Sequence, residues 1–230
     1  MTPLVLIPGM MCDARIFTPQ IAELSTHRAI HIASIGAHDT MQALAGEVLD
    51  KAPKGFALAG FSMGGIVAME VLRQAPERVE RLALLDTNPL AETPEMQARR
   101  GPQIAAAKAG DLTRIMRDEM KPNYLANETN RAAILDLCMT MATDLGADVF
   151  ARQSQALRDR PDQTQTLRHF GGRSLVLCGR HDIPCPVERH ELMHRLLSRS
   201  RLEIIEDAGH LTTLEAPDAV TKSIRAWLDD

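Results

Sequence analysis

Aromatic side chains are scarce in this chain. Phe, Trp and Tyr together make up 3% of its 230 residues, whereas hydrophobic residues as a whole make up 45% and methionine occurs 12 times. We therefore expect methionine to serve as adaptable filler in the core. The length and the ordinary hydrophobic content indicate one large globular domain, or one domain with an insertion.

A strong charge of either sign is also absent. The formal net charge is -4, so the composition gives no electrostatic reason to expect a nucleic-acid partner. The four cysteines, Cys12, Cys138, Cys178 and Cys185, form no CxxC pair and have no metal-ligand spacing. We expect reduced thiols and no metal site, as is usual for a cytoplasmic protein.

Long apolar runs are missing as well. No stretch approaches about 18 consecutive apolar residues, so we expect no transmembrane helix and no membrane partner. Met1 leads directly into the apolar residues 3–7, without a basic segment followed by a long apolar one, which argues against a signal peptide. These features predict a cytoplasmic protein, and they leave both a monomer and a homodimer open.

Six short apolar runs alternate with amphipathic segments along the chain. Because the runs are continuously apolar, they are typical of strands buried on both faces of a parallel sheet. The intervening segments have the apolar spacing of helices. We therefore predict an α/β fold, with a doubly wound parallel sheet of about six strands and helices on both faces. The runs are residues 4–7, 29–33, 56–59, 82–85, 174–177 and 202–205.

The alternation is interrupted once, between the fourth and fifth runs. Residues 89–172 contain no convincing strand, and Gly and Pro residues separate their helical patterns. We expect residues 1–88 and 173–230 to form the core and residues 89–172 to form a helical cap folded over one edge of the sheet. The predicted helices of the cap are residues 94–107, 112–120, 131–143 and 148–158.

The third apolar run leads into Gly60-Phe61-Ser62-Met63-Gly64. This pattern predicts a sharp strand-to-helix turn at which a Cβ atom two residues before or after the serine would clash. The turn would hold Ser62 in a strained conformation with its hydroxyl pointing out of the sheet, where a nucleophile has to be.

A serine hydroxyl needs a base, and the base needs an orienting acid. The candidate base is His210, in the loop after the last strand. The candidate acid is Asp182, just beyond the fifth run, which gives the chain order Ser, Asp, His that this turn usually has. Asp86, at the end of the fourth run, is a rival acid, although a capping or turn role is preferred for it. His181 is interpreted as structural or pocket-lining.

The third requirement is an oxyanion hole made of two backbone N–H groups. One donor is expected to be Met63, the residue after the nucleophile. The other is expected in the loop that begins with Pro8-Gly9 after the first strand, where Met10 is best placed to donate.

Together these features resemble the α/β-hydrolase family over nearly all of the chain. The resemblance implies an α/β-hydrolase fold and a serine esterase or lipase-like enzyme without a cofactor. Ser62 would be its nucleophile, His210 its general base and Asp182 the orienting carboxylate. Many relatives carry His-Gly in the oxyanion loop, whereas this chain has Pro8-Gly9, so the loop geometry usually credited to that His must come from elsewhere. The sheet is expected to lack the family's first two strands.

The preferred function is hydrolysis of a small or medium carboxylic ester, with Met11 and Phe61 contacting the substrate in an apolar, adaptable pocket. The alternatives are hydrolysis of a thioester, a lactone or a carbon–carbon bond, a lyase, and a non-catalytic ligand-binding protein. A basic residue of the cap that pointed inward would indicate a carboxylate-bearing substrate, although a solvated face is preferred. These residues are Arg99, Arg100, Lys108, Arg114, Arg117 and Lys121.

Overall fold

The computed structural model of the chain describes residues 1–126 and 130–230. Its strands are β1 (Leu4–Ile7), β2 (Ile30–Ile32), β3 (Phe56–Phe61), β4 (Val79–Leu85), β5 (Arg173–Gly179) and β6 (Ser200–Ile205). They form one sheet in the order β2-β1-β3-β4-β5-β6, and every neighbouring pair is parallel. The prediction of about six parallel strands is confirmed.

Helices follow most of the strands, and local sequence signals set several of their ends. Thr40 accepts a hydrogen bond from the Ala43 N–H at the start of α2, and Pro217 occupies the first turn of α10. The helices are α1 (Thr18–Leu24), α2 (Met41–Lys51), α3 (Met63–Gln74), α4 (Pro94–Ala106), α5 (Leu112–Arg114), α6 (Arg131–Arg158), α7 (Thr164–His169), α8 (Val187–Leu196), α9 (Thr212–Glu215) and α10 (Pro217–Asp229).

Both faces of the sheet are covered, which explains why its strands are continuously apolar. Side chains alternate between the faces of a strand, so Leu4 and Leu6 pack in one hydrophobic cluster whereas Val5 and Ile7 pack in the other. Apolar residues of α1 and α10 join the first cluster. Those of α2, α3 and α8 join the second.

The segment between β4 and β5 is helical in its described part. It contains α4 to α7, together with π-helical turns at Ala107–Asp111 and Ile115–Met120. The sequence predicts two helices where α6 runs from Arg131 to Arg158, and the backbone breaks between them at Gly146, with φ 80° and ψ 174°. A glycine adopts this conformation without the steric penalty of a Cβ atom.

The strand order reverses at β1. From this strand the chain moves outward to β2 and then returns to β3 on the other side of β1. In open α/β sheets, a crevice forms beyond the carboxyl ends of the strands at such a point. The loops after β1 and β3 therefore face each other, and they carry Gly9 and Ser62. Among the described residues, no helix is both long and apolar enough to cross a membrane.

Candidate active site

Ser62 lies at the sharp turn between β3 and α3. Its backbone has φ 52° and ψ -118°, a conformation that costs a non-glycine residue on the order of 1–3 kcal/mol. Hydrogen bonds hold the turn in place: the Ser62 N–H donates to the Leu85 carbonyl at 2.9 Å, and the Thr87 hydroxyl donates to the Ser62 carbonyl at 2.6 Å. The strained serine predicted from the sequence is therefore observed.

The glycines two positions before and after Ser62 lie so close to neighbouring backbone atoms that no side chain would fit. A Cβ atom on Gly60 would lie 2.3 Å from the Gly64 carbonyl oxygen, and one on Gly64 would lie 2.1 Å from the Ile7 carbonyl oxygen. Both distances are far inside van der Waals contact, so the predicted clash on both sides of the serine is confirmed.

His210 reaches Ser62 from the loop between β6 and α9. Its Nε2 atom lies 3.0 Å from the Ser62 Oγ atom. The imidazole is held between the rings of Phe61 and Tyr124, with centroid distances of 5.5 Å to each, and the His210 N–H donates to the Tyr124 carbonyl at 2.7 Å. Gly209 is needed because a Cβ atom there would lie 2.6 Å from that same carbonyl oxygen.

Asp182 lies on the other side of the imidazole. Both of its carboxylate oxygens are 2.9 Å from the His210 Nδ1 atom, and Oδ1 also accepts a hydrogen bond from the Cys185 N–H at 2.8 Å. The carboxylate is almost fully buried. The three predicted residues thus form a continuous chain of hydrogen bonds from Ser62 Oγ through the imidazole to Asp182.

Asp86, the rival acid, forms no hydrogen bond with His210 in the described part of the chain. It accepts hydrogen bonds from the Gly179 N–H at 3.1 Å and from the Thr212 hydroxyl. Burial, and secondly the charge of Asp182, raise the pKa of Asp86 well above its usual range. These contacts join the ends of β4 and β5 to the start of α9, which agrees with the structural role preferred from the sequence.

The two expected oxyanion donors are free to receive a ligand. Within residues 1–126 and 130–230, the backbone N–H groups of Met10 and Met63 donate to no protein group. The loops that carry them are in contact, since a Cβ atom on Gly9 would lie 3.2 Å from the Ser62 Cβ atom. An oxyanion hole requires two such unpartnered donors, and the assignment of Met10 and Met63 to this role stays a prediction.

Gln153 was not identified from the sequence. Its side chain comes from α6 and is 1% exposed. The Oε1 atom accepts from the Met11 N–H at 2.8 Å, and the Nε2 atom donates to the Ile35 carbonyl at 3.1 Å. A glutamine within a helix carries no sequence signal for such a contact.

Two of the six basic residues considered from the sequence point inward. Arg100 is buried and pairs with Glu92 at 3.0 Å, while its Nη1 atom lies 3.9 Å from the Met10 sulfur. Lys121 is also buried and donates to the Leu135 carbonyl at 2.5 Å, and burial lowers its pKa. The prediction of a solvated face is wrong for these two residues. It holds for the four exposed ones, Arg99, Lys108, Arg114 and Arg117.

The two residues predicted to contact the substrate are buried. Met11 and Phe61 are each 1% exposed, so their contact with a substrate stays a prediction. His181 is exposed.

Ligand atoms of Asp182, Cys185 and His210 lie within 4.8 Å of one another, but both nitrogens of His210 are already engaged by Asp182 and Ser62. A metal at this cluster would have to displace those hydrogen bonds.

Comparison with known proteins gives a consistent match. A family model described as the Alpha/beta hydrolase family matches residues 4–222. The chain is 25% identical to a pimeloyl-(acyl-carrier protein) methyl ester esterase of Pectobacterium carotovorum, over 98% of this chain and 94% of that one. It is 27% identical to an sn-1-specific diacylglycerol lipase of Mus musculus, over 74% of this chain and 58% of the relative.

Solved structures share the same architecture. A thermophilic esterase from Thermogutta terrifontis, described as malate bound, superimposes with a TM-score of 0.87 at 27% identity, covering 100% of this chain and 90% of that one. The enol-lactonase from Burkholderia xenovorans LB400 superimposes with a TM-score of 0.88 at 22% identity, covering 100% and 92%. The second similarity concerns the fold alone.

Proposed function

The chain belongs to the alpha/beta hydrolase family, and on that premise we propose that it hydrolyses small or medium carboxylic esters through an acyl-enzyme on Ser62. The match to the family confirms the resemblance to α/β-hydrolases that the sequence motifs indicate. Its curated relatives include esterases and a lipase, which supports ester hydrolysis, and a serine nucleophile is typical of the family. The observation that carries the proposal is the hydrogen-bonded chain from Ser62 Oγ through His210 to Asp182.

In the first step, Ser62 Oγ attacks the ester carbonyl carbon while His210 Nε2, 3.0 Å away, accepts the hydroxyl proton. Asp182 fixes the imidazole tautomer through Nδ1 and stabilises the positive charge that forms on the ring. Because Asp182 is buried, solvent screens this interaction only weakly.

The attack converts the carbonyl oxygen into an oxyanion. The N–H groups of Met10 and Met63 stabilise that negative charge, and one such donor typically contributes about 10²–10³ in rate. The tetrahedral intermediate then collapses. The carbon–oxygen bond to the alcohol breaks, and the imidazolium gives its proton to the leaving alkoxide.

Water completes the reaction by the reverse sequence. His210 removes a proton from water, the hydroxide adds to the acyl carbon, and the bond to Ser62 Oγ breaks as the imidazolium returns the proton to the serine. The net reaction consumes an ester and water and produces an acid and an alcohol.

The division into a core of residues 1–88 and 173–230 and a cap of residues 89–172 belongs to the same proposal. All six strands lie in the core. The segment assigned to the cap contacts both catalytic loops, through the Tyr124 carbonyl to His210 and through Gln153 to Met11. A cap over the triad would exclude water and shape the acyl pocket.

The test is a stopped-flow assay with p-nitrophenyl butyrate, combined with mass spectrometry after reaction with a fluorophosphonate. The wild type is expected to release a burst of nitrophenolate and to gain one label, and Ser62→Ala is expected to lose both. Ser154→Ala is the matched control, because Ser154 is a buried serine whose hydroxyl has no partner among the described residues. A Ser62→Ala variant that kept its label and turnover would refute the mechanism.

One observation favours a substrate that carries a carboxylate in addition to the ester. Glu92 pairs with the buried Arg100 at 3.0 Å and with Arg160, whose side chain is 9% exposed, at 3.2 Å. The cluster therefore holds one positive charge in excess, and an unmatched buried charge is costly. Arg100 contacts the Met10 side chain, so the excess charge lies beside the proposed oxyanion loop. The Thermogutta esterase, described as malate bound, has a dicarboxylate as its ligand.

The second test compares the p-nitrophenyl hemiester of glutaric acid with p-nitrophenyl butyrate. If Arg100 binds the free carboxylate, Arg100→Gln should lower kcat/KM for the hemiester by roughly 10- to 100-fold more than for butyrate, the range typical of a charged hydrogen bond. The variant should fold, because Glu92 and Arg160 then pair one to one. Arg99→Gln, a neighbouring exposed arginine, is the control. Equal losses on the two esters would exclude this substrate class.

A further inference from the structure

The oxyanion loop has few internal restraints where it passes Met10. Met11 has φ 53°, a left-handed conformation that an ordinary side chain adopts only when its surroundings impose it. A hydrogen bond from the Cys12 N–H to the Gly9 carbonyl at 3.2 Å closes the turn. On its outer side the loop borders a pocket of ≈ 110 Å³, lined by residues that include Pro8, Cys12 and Gln153. The side chains of Met10 and Met11 pack in the hydrophobic core, whereas the pocket leaves space beside the loop.

Gln153 supplies the missing restraint. Its carboxamide bridges the loop after β1 and the loop after β2, through the Met11 N–H at 2.8 Å and the Ile35 carbonyl at 3.1 Å. The amide orientation follows from its partners, because Met11 can only donate and Ile35 can only accept. Each contact uses a different end of the amide, so a carboxylate or a thioether could not make both.

The contact is buried, which makes its loss costly. Gln153 is 1% exposed and Met11 is also 1% exposed, so the hydrogen bond between them is largely shielded from solvent in the folded protein. Without Gln153, the Met11 N–H would be an unpaired buried donor, and the loop would relax to find another acceptor. The N–H group of Met10, one peptide earlier, would move with it.

We propose that Gln153 is a positioning residue that holds the oxyanion loop in its catalytic geometry, an inference that rests on the proposed function of Ser62 and Met10. In many α/β-hydrolases a His-Gly pair is credited with fixing this loop. In this chain, a side chain from a helix more than 140 positions away in sequence does so. Because Gln153 lies in α6, the hydrogen bond to Met11 also makes the rate of the chemical step depend on the position of the helical segment after β4.

The test is Gln153→Met, which keeps the length of the side chain and removes both hydrogen bonds. A misplaced donor weakens transition-state stabilisation, so kcat for p-nitrophenyl butyrate should fall by roughly 10- to 100-fold. KM should change by less than about threefold, because the substrate ground state does not depend on the hole.

A second readout separates positioning from a structural role. Butylboronic acid forms a boron–oxygen bond with Ser62 Oγ and gives a tetrahedral adduct that uses the oxyanion hole, whereas butyrate is a planar product. The affinity of Gln153→Met for the boronic acid should fall by the same factor as kcat, while its affinity for butyrate should stay unchanged. A general loosening of the pocket would weaken both ligands together.

Two further variants serve as controls. Gln153→Glu keeps an acceptor for the Met11 N–H and loses the donor to Ile35, so it should recover part of the lost kcat. Arg152→Gln removes a neighbouring contact from the same helix, the hydrogen bond to the Gly36 carbonyl at 2.7 Å, without touching Met11. This control should keep the wild-type kcat and boronic acid affinity.

The inference is overturned if Gln153→Met folds and keeps the wild-type kcat, if its loss is entirely in KM, or if butyrate and the boronic acid weaken together. If Gln153→Met does not fold, Gln153→Glu decides, and a wild-type boronic acid affinity in that variant with a lowered kcat would also overturn it. Failure of the proposed function has a different signature, because the wild type itself would then show neither an acyl burst nor a boronic acid adduct.

Discussion

The carboxyl ends of β4 and β5 each lead into a buried aspartate, and the two residues have different surroundings. Asp182, after β5, receives hydrogen bonds from His210 and from the Cys185 backbone. Asp86, after β4, receives its hydrogen bonds from the Gly179 backbone and the Thr212 hydroxyl. Only the first of these carboxylates has a partner that becomes charged during the proposed reaction.

The electrostatic environment separates the two residues further. Two nearby carboxylates in a buried site cannot both be ionised cheaply. Burial, and secondly the charge of Asp182, raise the pKa of Asp86, which favours the neutral form of Asp86. Residue type and strand position are therefore not sufficient to define the acid, because two aspartates in equivalent positions meet different groups: Asp182 meets the His210 imidazole, and Asp86 meets the Gly179 backbone and the Thr212 hydroxyl.

The end of β4 instead supports the turn that carries Ser62, the proposed nucleophile. The Thr87 hydroxyl donates to the Ser62 carbonyl at 2.6 Å, and the Thr87 N–H donates to His190 Nε2 at 3.0 Å. Burial lowers the pKa of His190 to about 4, so this imidazole stays neutral and remains an acceptor. The end of β4 is thus a structural site, and the end of β5 is proposed as a catalytic one.

Exchanging each carboxyl for an amide tests whether Asp182 and Asp86 have different roles. Asp182→Asn should lower kcat by about 10⁴, because an amide at that position favours the wrong imidazole tautomer. Asp86→Asn should keep kcat within about tenfold, since a neutral group already suits that site. Steady-state kinetics with p-nitrophenyl butyrate measure both variants. A larger loss in Asp86→Asn than in Asp182→Asn would reverse the assignment of the acid.

A second prediction concerns stability at the end of β4. The folded-state pKa of His190 is about 4, below the ordinary histidine value of about 6.5, so the unfolded chain binds its proton at higher pH. His190 therefore does not lower the unfolding free energy above about pH 6.5, and the unfolding free energy falls as the pH drops from about 6.5 towards 4. The loss amounts to roughly 3 kcal/mol of unfolding free energy.

Urea unfolding of the wild type and of His190→Gln between pH 7 and pH 4 measures this effect. The difference between the two proteins is informative, because Asp86 titrates in both and its opposite contribution cancels. The variant should show a shallower fall in unfolding free energy. Parallel pH profiles for the two proteins would show that His190 is not held neutral in the fold.

The smallest expected effect comes from the hydroxyl that supports the strained serine. Thr87→Val removes the donor to the Ser62 carbonyl and should cost about 1 kcal/mol of stability. We expect kcat to fall by less than about tenfold, because the other backbone hydrogen bonds of the turn remain. Thermal unfolding and kinetics on the same preparations check both values, and a loss of kcat comparable with that of Asp182→Asn would make Thr87 part of the catalytic machinery.

Much of the fold could be predicted because its signals are local. Continuous apolar runs identified the six strands, and the helix starts at Thr40 and Pro217 are likewise set by local signals. The short helices α1 and α7 were not predicted, since seven and six residues are too few for a clear helical period. The break in α6 was predicted because Gly146 lies between two helical apolar patterns in the sequence. The backbone leaves the helical conformation at this glycine.

The strand-to-helix turn at Ser62 and the order of the three candidate catalytic residues could be predicted from the sequence, because backbone sterics and strand order act over short or sequential distances. Three-dimensional packing was needed to establish that Arg100 points inward, that Gln153 accepts a hydrogen bond from Met11, and that Asp182 rather than Asp86 meets the imidazole. These outcomes depend on side chains far apart in sequence that become neighbours only when the helices pack against the sheet. Periodicity identifies the buried face of a helix, but it does not identify the group that this face meets.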